Sequence, residues 1–267
     1  MVKTIKLTDM NSVLELIKEQ EYNNDIHRYR SPYLYRGLPN EQYNLATSLQ
    51  RNCKDKQSVL EKCILRNFTK YAATDDPQLK ESIWRQMIIG QHHGLPTRLL
   101  DWTYSQLIAL HFATSGEDLS SMDKHDCALW RIDNLEFNSL LPCKYRDELK
   151  DKSAYLFTID MLESVVTELE EYDKDMSKNA MVLLEPPSID QRIISQYSYF
   201  SVVPNSITDI ECFLEEKTSN TVKYIIDKDL RWRIRDMLDQ LNINERIVYP
   251  GLDGLSAWLK RHYYVKS

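Results

Sequence analysis

Gln91-His92-His93-Gly94-Leu95-Pro96-Thr97-Arg98-Leu99-Leu100-Asp101-Trp102-Thr103 decides how this chain is read. Just before it, Leu79, Ile83, Trp84, Met87 and Ile88 fall on one side of a helix expected over 77–91, with Pro77 at its start. Gly94-Leu95-Pro96 ends that helix, since proline has no N–H to continue it and glycine suits the reversal. Residues 97–102 then read as a strand, with Thr97, Leu99, Asp101 and Thr103 on one face and Arg98, Leu100 and Trp102 on the other. Thr103-Tyr104-Ser105-Gln106 has the pattern of a capping box led by the Thr103 hydroxyl. The helix it opens carries Leu107, Ile108, Ala109, Leu110, Phe112 and Ala113.

Working outward, apolar spacing predicts helices over 10–21, 56–73, 229–241 and 252–263, and mostly helix over 134–178. Strands are expected at 32–37, 127–133, 180–184, 199–203 and 222–227, and a helical turn over 189–195. Strands and helices mix without regular alternation. That predicts an α+β fold, with a small central mixed or antiparallel sheet surrounded by helices. Residues 1–29 read as a helical lead-in and residues 30–263 as one domain.

Composition narrows the function. Six glycines in 267 residues is well under the usual share of roughly 7%. Neither GxGxxG nor GxxxxGK[ST] occurs, so a nucleotide here would have to be held by side chains rather than by a glycine loop. A net charge of −6 gives no support to a broad nucleic-acid surface. No apolar run reaches the roughly 18 residues of a membrane span. The five cysteines are widely spaced and never CxxC, as free thiols of a reducing compartment would be, and a cytoplasmic setting is expected.

Four segments are richer in polar groups than packing requires. In Tyr35-Arg36-Gly37 an arginine ends a strand, where its planar fork either pairs with a carboxylate or clamps an anionic ligand. The segment from Gln91 to Thr103 offers two readings. In one, His92, His93 and Asp101, with His111, form a metal site of a nuclease or hydrolase. In the other, His92 caps a helix end and Arg98 pairs with Asp101. In the third, Gln191-Arg192-Ile193-Ile194-Ser195-Gln196, the glutamines can hold a hydroxyl or amide but cannot act as bases. In Tyr249-Pro250-Gly251-Leu252-Asp253-Gly254-Leu255 the expected role of Asp253 is to cap the last helix. Arg231-Trp232-Arg233-Ile234-Arg235 reads as a scattered, salt-bridged surface, because residues two apart on a helix diverge.

Together, Tyr35-Arg36-Gly37, the Gln91–Thr103 segment, and Ala109 with Phe112-Ala113 resemble the FRG domain family, named for an aromatic-Arg-Gly motif. The Arg192-Ile193…Gln196…Phe200 and Tyr249–Leu255 segments fit the same pattern, although Ser198 stands where many members have glycine. A more distant similarity is to ADP-ribosyltransferases, in the order of three elements: Arg36 on an early strand, Thr97 or Thr103 leading into the helix with Ala109 and Phe112-Ala113, and Gln191 or Gln196 before Phe200-Ser201-Val202.

That resemblance implies NAD as substrate, with Arg36, Thr97, Gln191 and Gln196 acting on it. Tyr35, Gln91, His92, Arg98, Asp101, Trp102 and Thr103 would line its site, with Trp102 stacking on a ring. It implies an unidentified macromolecular acceptor and a possible toxin or phage-defence role, with no metal required. Most such transferases have glutamate where this chain has glutamine. Either Glu185 or Asp190 would then supply the charge, or the protein would be a non-catalytic nucleotide- or protein-binding module.

Overall fold

The computed structural model describes residues 1–74, 76–116, 118–188 and 190–266. Its strands are β1 (Lys3–Leu7), β2 (Glu21–Asn23), β3 (Arg28–Arg30), β4 (Tyr33–Leu38), β5 (Leu99–Thr103), β6 (Cys127–Asp133), β7 (Val182–Leu184), β8 (Ser198–Val202) and β9 (Val222–Ile226). The helices over the first half are α1 (Met10–Ile17), α2 (Ser48–Cys53), α3 (Gln57–Ala72), α4 (Ile83–His92), α5 (Gln106–Thr114), α6 (Asn134–Leu140) and α7 (Cys143–Asp151). There follow α8 (Ile159–Val165), α9 (Leu169–Met176), α10 (Gln191–Gln196), α11 (Ile210–Lys217), α12 (Arg231–Gln240), α13 (Glu245–Val248) and α14 (Leu252–His262).

The fold is α+β. Seven strands form one mixed sheet in the order β1-β9-β6-β4-β5-β8-β7, and β2 and β3 make a separate ladder. Every pairing in the large sheet is antiparallel except that of β1 with β9. The lead-in is therefore not helical alone: β1 lies at the sheet edge beside β9, and helix α1 follows it. The expected turn over 189–195 is helix α10, capped by the Asp190 side chain, with Ile189 outside the described residues.

Alternation along the strands sorts the core into two faces. Leu34, Leu100, Trp102, Ala128, Trp130 and Leu183 pack on one side with Phe137 of α6 and Phe213 of α11. The other side holds two clusters. Tyr35, Leu129, Tyr224 and Ile226 pack with α1, α5 and α12, while Leu99, Val182, Phe200 and Val202 pack with α4, α8 and α9. The seam between these clusters falls at β4 and β5.

That seam is a split in the sheet. β4 pairs with β6 at every residue from Tyr33 to Leu38, but with β5 only at Tyr35–Thr103 among the described residues. Two glycines shape its walls, Gly37 by close approach and Gly94 by its backbone conformation. A Cβ on Gly37 would lie 2.1 Å from the Ala109 carbonyl and 2.4 Å from the Ala113 nitrogen, so β4 can meet α5 this closely only through glycine opposite alanines. Gly94, at φ 83°, ends α4, and the Leu95 N–H donates back to the Gly90 carbonyl at 2.8 Å.

One sequence expectation fails locally. The N-cap of α5 is Ser105, whose side chain accepts from the Ile108 N–H, and not Thr103. Thr103 is still in β5, where its hydroxyl accepts from the Ser105 N–H at 3.2 Å and donates to the Gln196 carbonyl at 2.8 Å.

Two stability predictions follow from this packing. Gly37→Ala should cost about 1–3 kcal/mol or more, since backbone rather than a side chain must yield; an unchanged urea midpoint would contradict the close approach. Tyr35, Tyr145, Tyr172 and Tyr224 are buried, and all four hydroxyls are held above the ordinary tyrosine range. Burial is the main cause, assisted by Glu19 at Tyr35 and Tyr224 and by Asp175 at Tyr145. Above about pH 10 the unfolded chain loses these protons and the folded one keeps them. Stability should therefore hold up to that pH and then fall by up to roughly 1.4 kcal/mol per pH unit for each tyrosine, as read from urea unfolding across the alkaline range.

Candidate functional site

Arg36 lies in the split. Because β5 has left β4 beyond Thr103, the Asp101 carbonyl has no strand partner on that side, and Arg36 Nη1 donates to it at 2.6 Å. The same nitrogen is 3.5 Å from Asp101 Oδ2, a long contact, and the Arg36 side chain is 17% exposed. Its Nε is buried with no hydrogen-bond partner among the described residues. Burial pulls the guanidinium below the ordinary arginine range, Asp101 opposes this, and the nearby Arg51 guanidinium adds to it.

The Gln91–Thr103 segment then explains itself as a chain of hydrogen bonds. The Thr97 hydroxyl donates to Gln91 Oε1, and Gln91 Nε2 donates to Asp101 Oδ1 at 3.0 Å. Thr97 is itself fixed by Ser48, whose Oγ accepts from the Thr97 N–H at 3.0 Å. So Gln91 and Thr97 aim the Asp101 carboxylate from behind, and Asp101, whose side chain is 57% exposed, is left open toward solvent.

The cleft along this split is lined by Arg36, Asp101, Thr103, Phe112, Arg192 and Gln196, with Tyr35, Gly37, Trp102 and Ser198 completing the wall. Its volume is about 190 Å³, smaller than a whole nucleotide needs. It continues past Arg192 in two directions. One lobe of about 190 Å³ runs toward Arg51, Ser48 and Gln91. The other, about 470 Å³, runs between His92, Asp190, Gln191, Tyr249 and Asp253. A ligand larger than one lobe must therefore pass Arg192, which pairs with no carboxylate among the described residues and lies over the Tyr249 ring at 5.3 Å. Arg51 also has no carboxylate partner among the described residues; its Nη1 donates to the Ala46 carbonyl at 2.5 Å. Three arginines thus face this groove; Asp101 is the carboxylate lining its two smaller lobes, while Asp190, 3.3 Å from His92, and Asp253 line the outer one.

Residues 31–121 match the model of the FRG domain. That stretch, about a third of the chain, is similar to the FRG domain. No curated protein and no solved structure matches the chain. The matched stretch supplies Arg36, Gln91, Asp101, Thr103 and Phe112, whereas Arg192, Gln196 and Tyr249 lie beyond it in sequence. All of these nevertheless border the same groove.

Several expected site residues of the FRG domain are elsewhere. Arg98 is 2% exposed, donates to both oxygens of Glu61 and also pairs with Asp173. It is a core ion pair, not a partner of Asp101 and not a ligand clamp. The Trp102 indole is in the opposite core and donates to Ser201 Oγ at 3.1 Å, so it has no free face on which a ring could stack. The Tyr35 ring is buried too, and its hydroxyl accepts from Gln106 Nε2 at 3.1 Å. Thr97 is buried behind Gln91 and does not reach the cleft.

Of the two glutamines, Gln196 is in the central cleft with its amide donating to the Val248 carbonyl at 3.1 Å, and Gln191 is in the outer lobe. Asp190 is spent on capping α10 and pairing with His92, and Asp253 is in the first turn of α14 without capping it. No group of three metal-ligating side chains comes together among the described residues; His111 is on α5, beside Arg235.

Arg51 was silent in the sequence, being an isolated arginine on a short helix. Arg192 stood beside two glutamines that drew the chemical argument, though its place one turn before Gln196 was the usable signal.

The two motif arginines should behave oppositely on unfolding. Arg98→Ala leaves Glu61 buried without its partner and should cost about 3–5 kcal/mol, whereas Arg36→Ala, which frees one carbonyl, should cost about 1 kcal/mol. Equal losses in chemical denaturation would place Arg36 among the structural arginines.

Proposed function

We propose that the groove of this FRG domain binds NAD and cleaves its nicotinamide–ribose bond, passing ADP-ribose to an acceptor or to water. The observation that carries this reading is the buried, unpartnered Nε of Arg36 in a cleft shared with Arg192 and close to Arg51. A desolvated N–H on an arginine that lines a cleft with surplus positive charge fits a pyrophosphate, which a chain without a glycine loop must hold by side chains. Of the ordered elements that resemble ADP-ribosyltransferases, Arg36 on β4 and Thr103 on β5 lie on neighbouring strands, and Gln196 ends α10 two residues before β8, the other neighbour of β5.

The chemistry asks for little beyond orientation and charge. As the glycosidic bond breaks, nicotinamide leaves with the bonding electrons and the ribose carries positive charge. Glutamine cannot offset that charge. Asp101 can, since it opens into the same cleft and is held in place by Gln91 on one oxygen and Arg36 near the other. In this reading Asp101 does what Glu185 or Asp190 was expected to do. Phe112 and Tyr249 offer aromatic surface in place of Trp102.

A second reading has one observation of its own. The Gln196 amide is turned to the Val248 carbonyl, as a residue holding the wall rather than a ribose would be. That favours a nucleotide-binding module without turnover.

NAD added to the purified protein should raise its melting temperature and release nicotinamide, and Arg36→Ala should lose both effects. Asp101→Asn should keep the stabilisation and slow nicotinamide release about 10²–10³-fold, the scale for one preorganised charge-stabilising group. Stabilisation without release in the wild type would leave the binding module standing, and no response to NAD would overturn the nucleotide reading.

A further inference from the structure

Of the three arginines of α12, Arg233 is exposed as expected, but the other two are not a solvated surface. Arg231 and Arg235 are 3% and 0% exposed, on the same buried side of the helix as Ile234. Arg235 Nη1 donates to His111 Nδ1 at 2.8 Å, and its Nη2 donates to Glu245. Arg261 of α14 completes the cluster by pairing with Glu245 and with Asp239.

Because arginine can only donate, Nδ1 of His111 must accept. Burial, together with Arg235 and Arg261, holds the imidazole well below the ordinary histidine range, so the ring is neutral and its single proton sits on Nε2. That Nε2–H is buried without a partner among the described residues, and so is the Nε–H of Arg235. Both residues line a cavity of about 520 Å³, together with Glu245, Tyr249, Lys260 and Arg261.

We infer that this cavity is a second anion site, which takes the phosphoryl group of a small molecule. The residues that would hold it are His111 through Nε2–H, Arg235 through Nε–H, and Lys260 at the rim. Among the described residues three cationic side chains, Arg235, Arg261 and Lys260, line it against one carboxylate, Glu245, with Asp239 behind. The donors come from α5, α12 and α14. A tetrahedral oxyanion can accept from several sides at once, whereas a planar carboxylate offers only two oxygens. Leaving two buried donors unsatisfied is costly, and an oxyanion relieves both.

This site is distinct from the cleft and does not rest on the NAD reading. The Tyr249 ring stands between them, with Arg192 over it at 5.3 Å and the His111 and Phe112 rings at 6.1 and 6.3 Å. A phosphoryl group could arrive here as a free small phosphate or as the far end of a nucleotide seated in the groove, and a variant of the cleft separates the two.

The test is titration of the full chain with inorganic pyrophosphate, followed through the ring nitrogens of His111 by long-range proton–nitrogen correlation, with His111→Gln used to assign the signal. The expected result is a neutral Nε2–H ring whose signal moves saturably with pyrophosphate, both in the wild type and in Arg36→Ala. Lys260→Glu, an exposed rim change that spares the core, should weaken that response by roughly tenfold, the scale of one lost attraction plus one added repulsion. A His111 signal that stays still at millimolar pyrophosphate overturns the site, even if melting temperature rises through the cleft. A shift that disappears in Arg36→Ala also overturns it, because the anion would then sit in the groove.

Discussion

The divergence of β4 from β5 is the constraint on which the rest depends. A sheet that opens leaves backbone groups facing a gap, and such groups must find partners or water. Here a side chain fills the role of the missing strand: Arg36 answers the Asp101 carbonyl. Doing so places a guanidinium inside the sheet with one N–H still to satisfy, and that unsatisfied donor is what makes the gap a site rather than a defect. The opening persists because its edges are rigid. Gly37 is pressed onto α5, Thr103 is bonded to the Gln196 carbonyl, and Asp101 is gripped by Gln91.

The buried arginines show how neutralisation separates structure from function. Arg98 has two carboxylates and five-donor geometry matched to them, and it serves the core. Arg36 has one distant carboxylate oxygen and a carbonyl. Among the described residues Arg231 donates only to the carbonyls of His125 and Ser115, and burial pulls it below the ordinary arginine range. Sequence spacing treats these residues alike. What distinguishes them is whether distant acids such as Glu61 and Asp173 fold back onto them.

That is also why the sequence was readable to a definite depth. Strand β6 falls at the expected 127–133, and the helices around α3, α12 and α14 fall within a few residues of their apolar periodicity. The α+β class followed from those elements. The Tyr-Arg-Gly and Gln91–Thr103 motifs were visible as chemistry-bearing, and the FRG domain resemblance was legible from them. The partners were not. Nothing in the order of residues says that Arg98 meets Glu61 rather than Asp101, or that Ser105 displaces Thr103 as a cap. Strand β1 carried too few apolar residues to stand out, and its place was set by β9, from the other end of the chain.

The stretch that matches the FRG domain ends at residue 121, six residues before β6 begins at Cys127. Within that stretch the central strands β4 and β5 share one rung; the long ladders that hold them are β6 on one side and β8 on the other. The region of greatest sequence likeness is thus the least able to stand alone. Synthesis of the chain must reach β8 before β5 has more than its one rung with β4, and β9 before β1 has a neighbour. Folding here is dominated by non-local pairings, which are slow to form and leave strand edges open meanwhile. The boundary drawn by similarity and the cooperative unit are different objects, and the groove belongs to the larger one.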